Sequence, residues 1–114
     1  MSSPSTLTPA ELRDILSRRV LILDGAMGTM IQRLGLSESQ WRGERFADWP
    51  SRLSGNNDLL SLTRKADIHN IHRRYIEAGA DIITANSFNS NRLSMARYGM
   101  EGLSFEIADR KSVV

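Results

Sequence analysis

Val20-Leu21-Ile22-Leu23-Asp24-Gly25-Ala26-Met27-Gly28-Thr29-Met30 passes from an aliphatic run, through an acidic turn with glycine, into helix-forming residues. Residues 20–23 carry the pattern of a strand buried on both faces. Asp24 ends that run. In a parallel α/β sheet ligands collect at the carboxyl ends of strands, because loops and helix N-termini bring unpaired N–H groups together there. A second strand, Asp81-Ile82-Ile83-Thr84-Ala85, also ends in a polar stretch, Asn86-Ser87-Phe88-Asn89-Ser90-Asn91. Two polar strand ends are therefore expected on one side.

The connection between them predicts a crossover helix over residues 63–78, with Thr63 as its cap and Gly79 as its stop. Its buried side should carry Ile68, Ile71, His72, Tyr75 and Ile76, and a right-handed crossover of this kind makes the second strand parallel to the first. His69 and His72 lie one turn apart, but with no third ligand at hand they read as ordinary helix histidines. Upstream, Thr8-Pro9-Ala10-Glu11 is a capping box with proline at the first helical position. The apolar stripe Leu12, Ile15 and Leu16 behind it needs cover, such as the closed bottom of a barrel would give.

Residues 26–34 place Met27, Met30, Ile31 and Leu34 at helical spacing before Gly35, with the methionines as core packing. Residues 37–62 show no clear period and read as a long loop, in which Trp41 and Trp49 act as anchors. Gly55-Asn56-Asn57-Asp58 is a turn, and Leu59-Leu60-Ser61-Leu62 a short strand or covered loop. Ser90 is placed to cap a helix carrying Leu93, Met95, Ala96 and Tyr98, with Gly99 near its end. Leu103, Phe105 and Ile107 fit either a helix or a strand.

Over 114 residues, 15 Lys plus Arg face 13 Asp plus Glu, a formal net charge of +2. Arg18-Arg19 and Arg73-Arg74 are isolated pairs on solvated faces, so nucleic acid is not indicated. No cysteine is present, which excludes thiolate metal ligands and disulfides within these residues. No membrane span is evident, and Met1-Ser2-Ser3-Pro4-Ser5-Thr6 lacks a secretory pattern, so a cytoplasmic setting is expected. Two parallel strands leave two open edges and little buried area, and the chain reads as part of a larger domain.

Several separated motifs in order carry a resemblance. Asp24-Gly25-Ala26-Met27-Gly28-Thr29-Met30, Arg42-Gly43-Glu44-Arg45-Phe46, Gly55-Asn56-Asn57-Asp58-Leu59-Leu60 and Glu77-Ala78-Gly79-Ala80-Asp81-Ile82-Ile83 closely resemble the N-terminal homocysteine-binding module of cobalamin-dependent methionine synthases. The first motif alone suits any homocysteine methyltransferase, including those using betaine or S-methylmethionine; the second and third favour the cobalamin-dependent kind. A short, non-enzymatic protein binding a partner through its strand edges is the reading from another class.

The resemblance implies an α/β fold: the first two β/α units of a (β/α)8 TIM-type barrel, a fold of about 250 residues. It implies an N-terminal extension with a capped helix at 1–19, the start of the homocysteine-binding barrel at 20–108, and an atypical tail at 109–114. In that family homocysteine binds at the barrel mouth, its thiol held by zinc on three cysteines from later strands. The thiolate attacks the methyl group of methylcobalamin, and a separate module recharges the cobalamin from 5-methyltetrahydrofolate. The expected partners are thus homocysteine and downstream folate and cobalamin domains. Zinc and cobalamin belong to the complete enzyme, and these residues alone should bind neither and be inactive.

Matched position by position, Asp24 would pair with the substrate ammonium; its alternative is capping the following helix. Gly25 and Gly28 would let the backbone approach the substrate and donate amides to its carboxylate, or simply make a tight turn. Asn86 and Ser87 would orient the head group, and Phe88 would wall the methylene chain. No catalytic residue and no metal ligand is expected within these residues. The chain departs from the family pattern at Arg64-Lys65-Ala66-Asp67, which lacks a proline just inside the helix. It departs again at Asp109-Arg110-Lys111-Ser112-Val113-Val114. That tail is what the sequencing-adapter string GATCGGAAGAGCGTCGTG spells when translated, and an artefactual origin is expected for it.

Overall fold

The computed structural model describes residues 7–109; the leader reading of residues 1–6 and the tail from residue 110 onward lie outside them. Helix α1, Pro9–Arg18, starts as its sequence dictates. The Thr8 hydroxyl accepts from Glu11 N at 3.2 Å, and Pro9 occupies the first turn. The second half of the box differs: Thr8 Oγ1 donates to the Glu11 carboxylate at 3.1 Å, where a capping box would use the Thr8 backbone N–H. None of its residues is buried, so the stripe of Leu12, Ile15 and Leu16 is left without the cover it was expected to find.

The two expected strands are where the structure departs most from the sequence reading. Among the described residues they reduce to one parallel bridge, Leu23 to Ile82. Asp81 N and Ile82 N donate to Ile22 O at 2.8 and 3.1 Å, and Asp24 N donates to Ile82 O at 2.9 Å. That is the register of a parallel pair, so pairing and direction agree with the reading while extent does not. Among the described residues the β/α units of a barrel are not seen, and the expected burial on both faces is missing. Val20, Ile22 and Leu23 are 82%, 56% and 63% exposed. A ladder propagates only when neighbours cover its faces and edges, and among the described residues no third strand flanks this pair. Side-chain ties hold the bridge instead. Arg19 grips Asp81 with two N–H groups at 3.0 and 3.1 Å, and the same carboxylate accepts from Ile22 N at 2.9 Å. The Arg19 bond, then the Ile22 N–H, pull the Asp81 carboxyl below its ordinary value of 3.8.

The remaining mass is helical. Helix α2, Met27–Arg33, ends at Gly35, whose φ of +59° is the left-handed stop. The stretch read as loop holds three short helical pieces. Helix α3, Glu38–Arg42, carries a full Ser37/Gln40 capping box; a 3-10 turn, Asn57–Leu59, leads into α4, Leu60–Thr63. Helix α5, Lys65–Glu77, buries Ile68, Ile71 and His72, whereas Ile76 is exposed. Thr63 does not cap it: Thr63 closes α4, its hydroxyl is buried without a partner, and Arg64 stands at the N-cap with no side-chain bond. Helix α6, Arg92–Ala96, is capped by Asn91 rather than Ser90, because Ser90 is already bonded to Asp58. A 3-10 turn, Glu101–Leu103, precedes α7, Ser104–Asp109, which buries Ile107.

These pieces enclose a core of Ile31, Trp41, Phe46, Leu53, Leu59, Leu60, Ile68, Ile71, Met95, Met100 and Ile107. The arginine-rich motif builds this core. Arg42 donates to Trp49 O at 2.6 Å and Ser51 O at 2.9 Å while pairing with Glu38 at 3.2 Å, which ties the chain after α3 into a closed turn. Arg45 pairs with Glu106 and lies 5.0 Å over the Phe46 ring. Phe46 meets Trp49 edge to face at 5.5 Å, and the Trp49 indole N–H reaches Tyr98 O at 2.7 Å. Both tryptophans are anchors, as expected, set into a helical core.

Candidate functional site

Asp24 stands one residue past the bridge, at the polar end of the pair. Its Oδ2 accepts from Thr84 N and its Oδ1 from the Thr84 hydroxyl, each at 3.0 Å. The carboxylate therefore ties the two segment ends together. It does not cap the helix that follows, since α2 begins from Ala26 with no side-chain cap bond. A carboxylate has about four lone-pair sites, so two donors from one threonine leave capacity on both oxygens. Asp24 is half-buried, as a residue shared between scaffold and solvent would be.

Gly25 is explained from behind. The Tyr75 hydroxyl donates to Ala26 O at 2.8 Å, and its ring lies so close that a Cβ on Gly25 would sit 2.8 Å from Cε1. The Cβ side of Gly25 is thus occupied by a side chain of α5, the tight-turn side of the two readings. Gly28, inside α2, meets only Asn57 Nδ2 at 3.8 Å and tolerates a side chain.

At the second segment end, Asn86 is buried and its amide donates to Asn57 O at 2.8 Å and to Ser61 Oγ at 3.4 Å. It braces the Asn57 turn, where the sequence reading had it orient a head group. Ser87 shapes the loop through its backbone, its N–H on Ala85 O at 3.0 Å and its carbonyl taking Ser90 N at 3.1 Å. Phe88 is 93% exposed. Asp24 and Thr84 thus form a polar rim at the end of the bridged pair, while the Asn86 amide is spent on the Asn57 turn.

Two residues were missed. Buried Asp58 accepts from Asn89 N at 2.8 Å and Ser90 Oγ at 2.7 Å, which fixes the loop after the second segment. Its donors lie over thirty residues downstream, so only burial of a lone acid hinted at them. Thr84 was quoted merely as a strand residue, yet it is the partner of Asp24.

His72 is buried on α5, and neither ring nitrogen has a hydrogen-bond partner. Burial pushes its imidazole below the ordinary 6.5; the Asp24 charge pulls upward, and His69 adds to the lowering. The chain has no cysteine, and among the described residues no three His, Asp or Glu side chains come together to hold a metal ion. The residues present do not fit a thiolate zinc site. An open cleft of about 240 Å³ lies between Asn56, Asp58, Asn89 and Arg97. No helix among the described residues is long and apolar enough to cross a membrane. Among models of known families, the one described as homocysteine S-methyltransferase matches residues 21–113.

Proposed function

Since the chain belongs to the homocysteine S-methyltransferase family, by a match over residues 21–113, we propose that its Asp24 rim receives the amino-acid end of homocysteine. The family is one of methyltransferases, and methylation of homocysteine is the chemistry it shares. The observation that carries the reading is the Asp24 carboxylate itself. It is fixed by Thr84, half-buried, and not used as a helix cap. A carboxylate held partly out of water is costly without a cation, and the ammonium of an amino acid supplies one. Thr84 aims both oxygens before the ligand arrives, so little ordering remains to be done on binding.

The methyl donor we propose is methylcobalamin, with 5-methyltetrahydrofolate recharging it on other domains in a cytoplasmic enzyme. The support is the run of motifs from Arg42 to Phe46 and from Gly55 to Leu60. Those motifs build scaffold here, so they bear on kinship and not on contact with a donor. Zinc ligands would come from other residues than these.

Calorimetric titration of L-homocysteine into the protein and into Asp24→Ala tests the anchor. A charge-assisted bond of about 1.5–3 kcal/mol corresponds to roughly 10- to 150-fold weaker binding in the variant. A thiol acid lacking the amino group, 4-mercaptobutanoate, should bind both proteins equally weakly. Undiminished homocysteine affinity in Asp24→Ala would defeat the reading. Offering methylcobalamin, betaine and S-methylmethionine in turn to the enzyme assembled around this segment decides the donor.

A further inference from the structure

The Asn57 turn and the end of α6 enclose the open cleft of about 240 Å³, which Asp24 does not line. Two of its side chains are buried acceptors with an oxygen to spare. Asn56 is 2% exposed, and its amide nitrogen lies on the sulfurs of Met95 and Met100 at 3.8 and 3.6 Å, which turns Oδ1 the other way. Asp58 is 3% exposed; its Oδ2 takes both donors of the downstream loop, and its Oδ1 takes none. Among the described residues, sealed side-chain atoms without a partner are confined to Thr63 and His72. Both free oxygens therefore touch solvent, and the cleft is the opening that Asn56 and Asp58 share. A carboxylate oxygen so nearly stripped of water and given no donor calls for a positively charged one. Arg97 lines the same cleft, exposed and, among the described residues, in no ion pair with Asp58. The Tyr98 hydroxyl, also without a partner, would stand 3.8 Å from a Cβ on Gly55.

We propose that this cleft binds a free α-amino acid with a small side chain. Its ammonium donates to Asp58 Oδ1 and Asn56 Oδ1, and its carboxylate meets Arg97 and the Tyr98 hydroxyl. A bare cation would satisfy the acid but face the Arg97 charge, and among the described residues no three His, Asp or Glu side chains gather to hold a metal ion. An anion would satisfy Arg97 and be repelled by Asp58. A zwitterion answers both charges. The ligand must also be compact, because sites for drug-sized molecules run from about 300 Å³ upward. The cleft and the Asp24 rim share no residue, so neither reading falls with the other.

Proton–nitrogen correlation NMR of the full chain, titrated with L-alanine, tests the proposal. The amides of Gly55, Asn89 and Ser94 should shift and saturate, and the shifts should persist in Asp24→Ala. Arg97 is exposed and its side chain has no partner to lose, so Arg97→Gln should keep the fold and weaken L-alanine binding about tenfold or more. Asp58→Asn can keep an oxygen on Asn89 and Ser90 while turning its amide nitrogen into the cleft, and should weaken binding at least as much. Methylammonium and acetate, the two halves of the ligand, should each bind far more weakly than L-alanine. No saturating shift at these amides, or an affinity unchanged in Arg97→Gln, overturns the proposal. Shifts that vanish in Asp24→Ala overturn it too, by assigning the amino acid to the other rim. Methylammonium binding as tightly as L-alanine likewise overturns it and makes the cleft a simple cation site.

Discussion

Single positions around the Asp24 turn make opposite demands on neighbouring glycines. An alanine Cβ at Gly25 would come within 2.8 Å of the Tyr75 ring, which its hydrogen bond to Ala26 O holds in place. Gly25→Ala should therefore lose about 1–3 kcal/mol, an overpacking cost. Most of it should return in a Tyr75→Val background, where the ring is gone. Gly28→Ala has room and lies inside α2, so it should be neutral or gain up to about 1 kcal/mol from helix propensity. Urea midpoints of the wild type, the three single variants and the double variant check both statements; equal losses at the two glycines would show that the ring is not the cause. His72 adds a pH dependence of known sign. Its folded imidazole binds protons less well than the ordinary 6.5, so acidification through that window charges the unfolded chain first. Stability is then fully present above about pH 6.5 and declines as pH falls toward the lowered value. The carboxyls of Asp81 and Glu38, ordinarily at 3.8 and 4.5 and both held lower, act in a more acid range. Glu38 is held low although burial, its largest single influence, pushes upward; the N–H groups of Ser54 and Leu53 and the Arg42 charge together outweigh it. His72→Phe should remove the slope that sets in as pH falls below about 6.5 and leave the acid limb of Asp81 and Glu38.

At the scale of elements, legibility followed how local the cause was. Thr8 with Pro9, Gly35 after α2 and Gly79 after α5 are signals contained within one turn, and each element appeared where they placed it. Helix α3 obeys the same rule. Ser37 and Gln40 make a capping box that was there to be read, and the aromatic and charged residues after it obscured it. Thr63 and Ser90 failed as caps for a different reason: each is held by a neighbour distant in sequence or by the preceding helix, which no local pattern reveals. Asp58 is the strongest such case, since its two donors arrive from residues 89 and 90. Both bonds fall on Oδ2. Asp58→Ala leaves the Asn89 N–H and the Ser90 hydroxyl unpaired near the core and should cost about 1–3 kcal/mol. Asp58→Asn keeps one acceptor oxygen and should recover a good part of that. Thermal melts separate the two variants, and an asparagine as damaging as alanine would mean that the charge, not the geometry, is what the loop requires.

Across the whole molecule, the sequence announced the pairing of two segments and their direction but not how far the ladder would run. Strand propagation depends on cover from elements that residues 20–23 and 81–85 do not themselves encode, whereas a cap depends on atoms a few bonds away. The folded mass accordingly gathers on the helical core around Leu53, Leu60 and Ile68, to which neither the bridge residues Val20, Ile22 and Leu23 nor α1 contribute. The radius of gyration of 15.9 Å and a long axis of 52 Å against 27 Å record an elongated shape, since a compact domain of this length would have a radius near 13 Å. The bridge presents Val20, Ile22 and Leu23 to water beside unpaired backbone, the combination that invites edge-to-edge association. Sedimentation should therefore show an apparent mass that rises with concentration. The backbone groups of Ile22, not its side chain, make the contacts to Asp81 and Ile82, so lysine can replace the side chain without breaking the bridge. Val20→Lys with Ile22→Lys should suppress association and leave the melting temperature nearly unchanged. Phe88→Lys, an equally exposed apolar site away from any strand edge, should suppress it far less. Equal relief from both would assign the association to exposed apolar area alone and remove the open edge from the account.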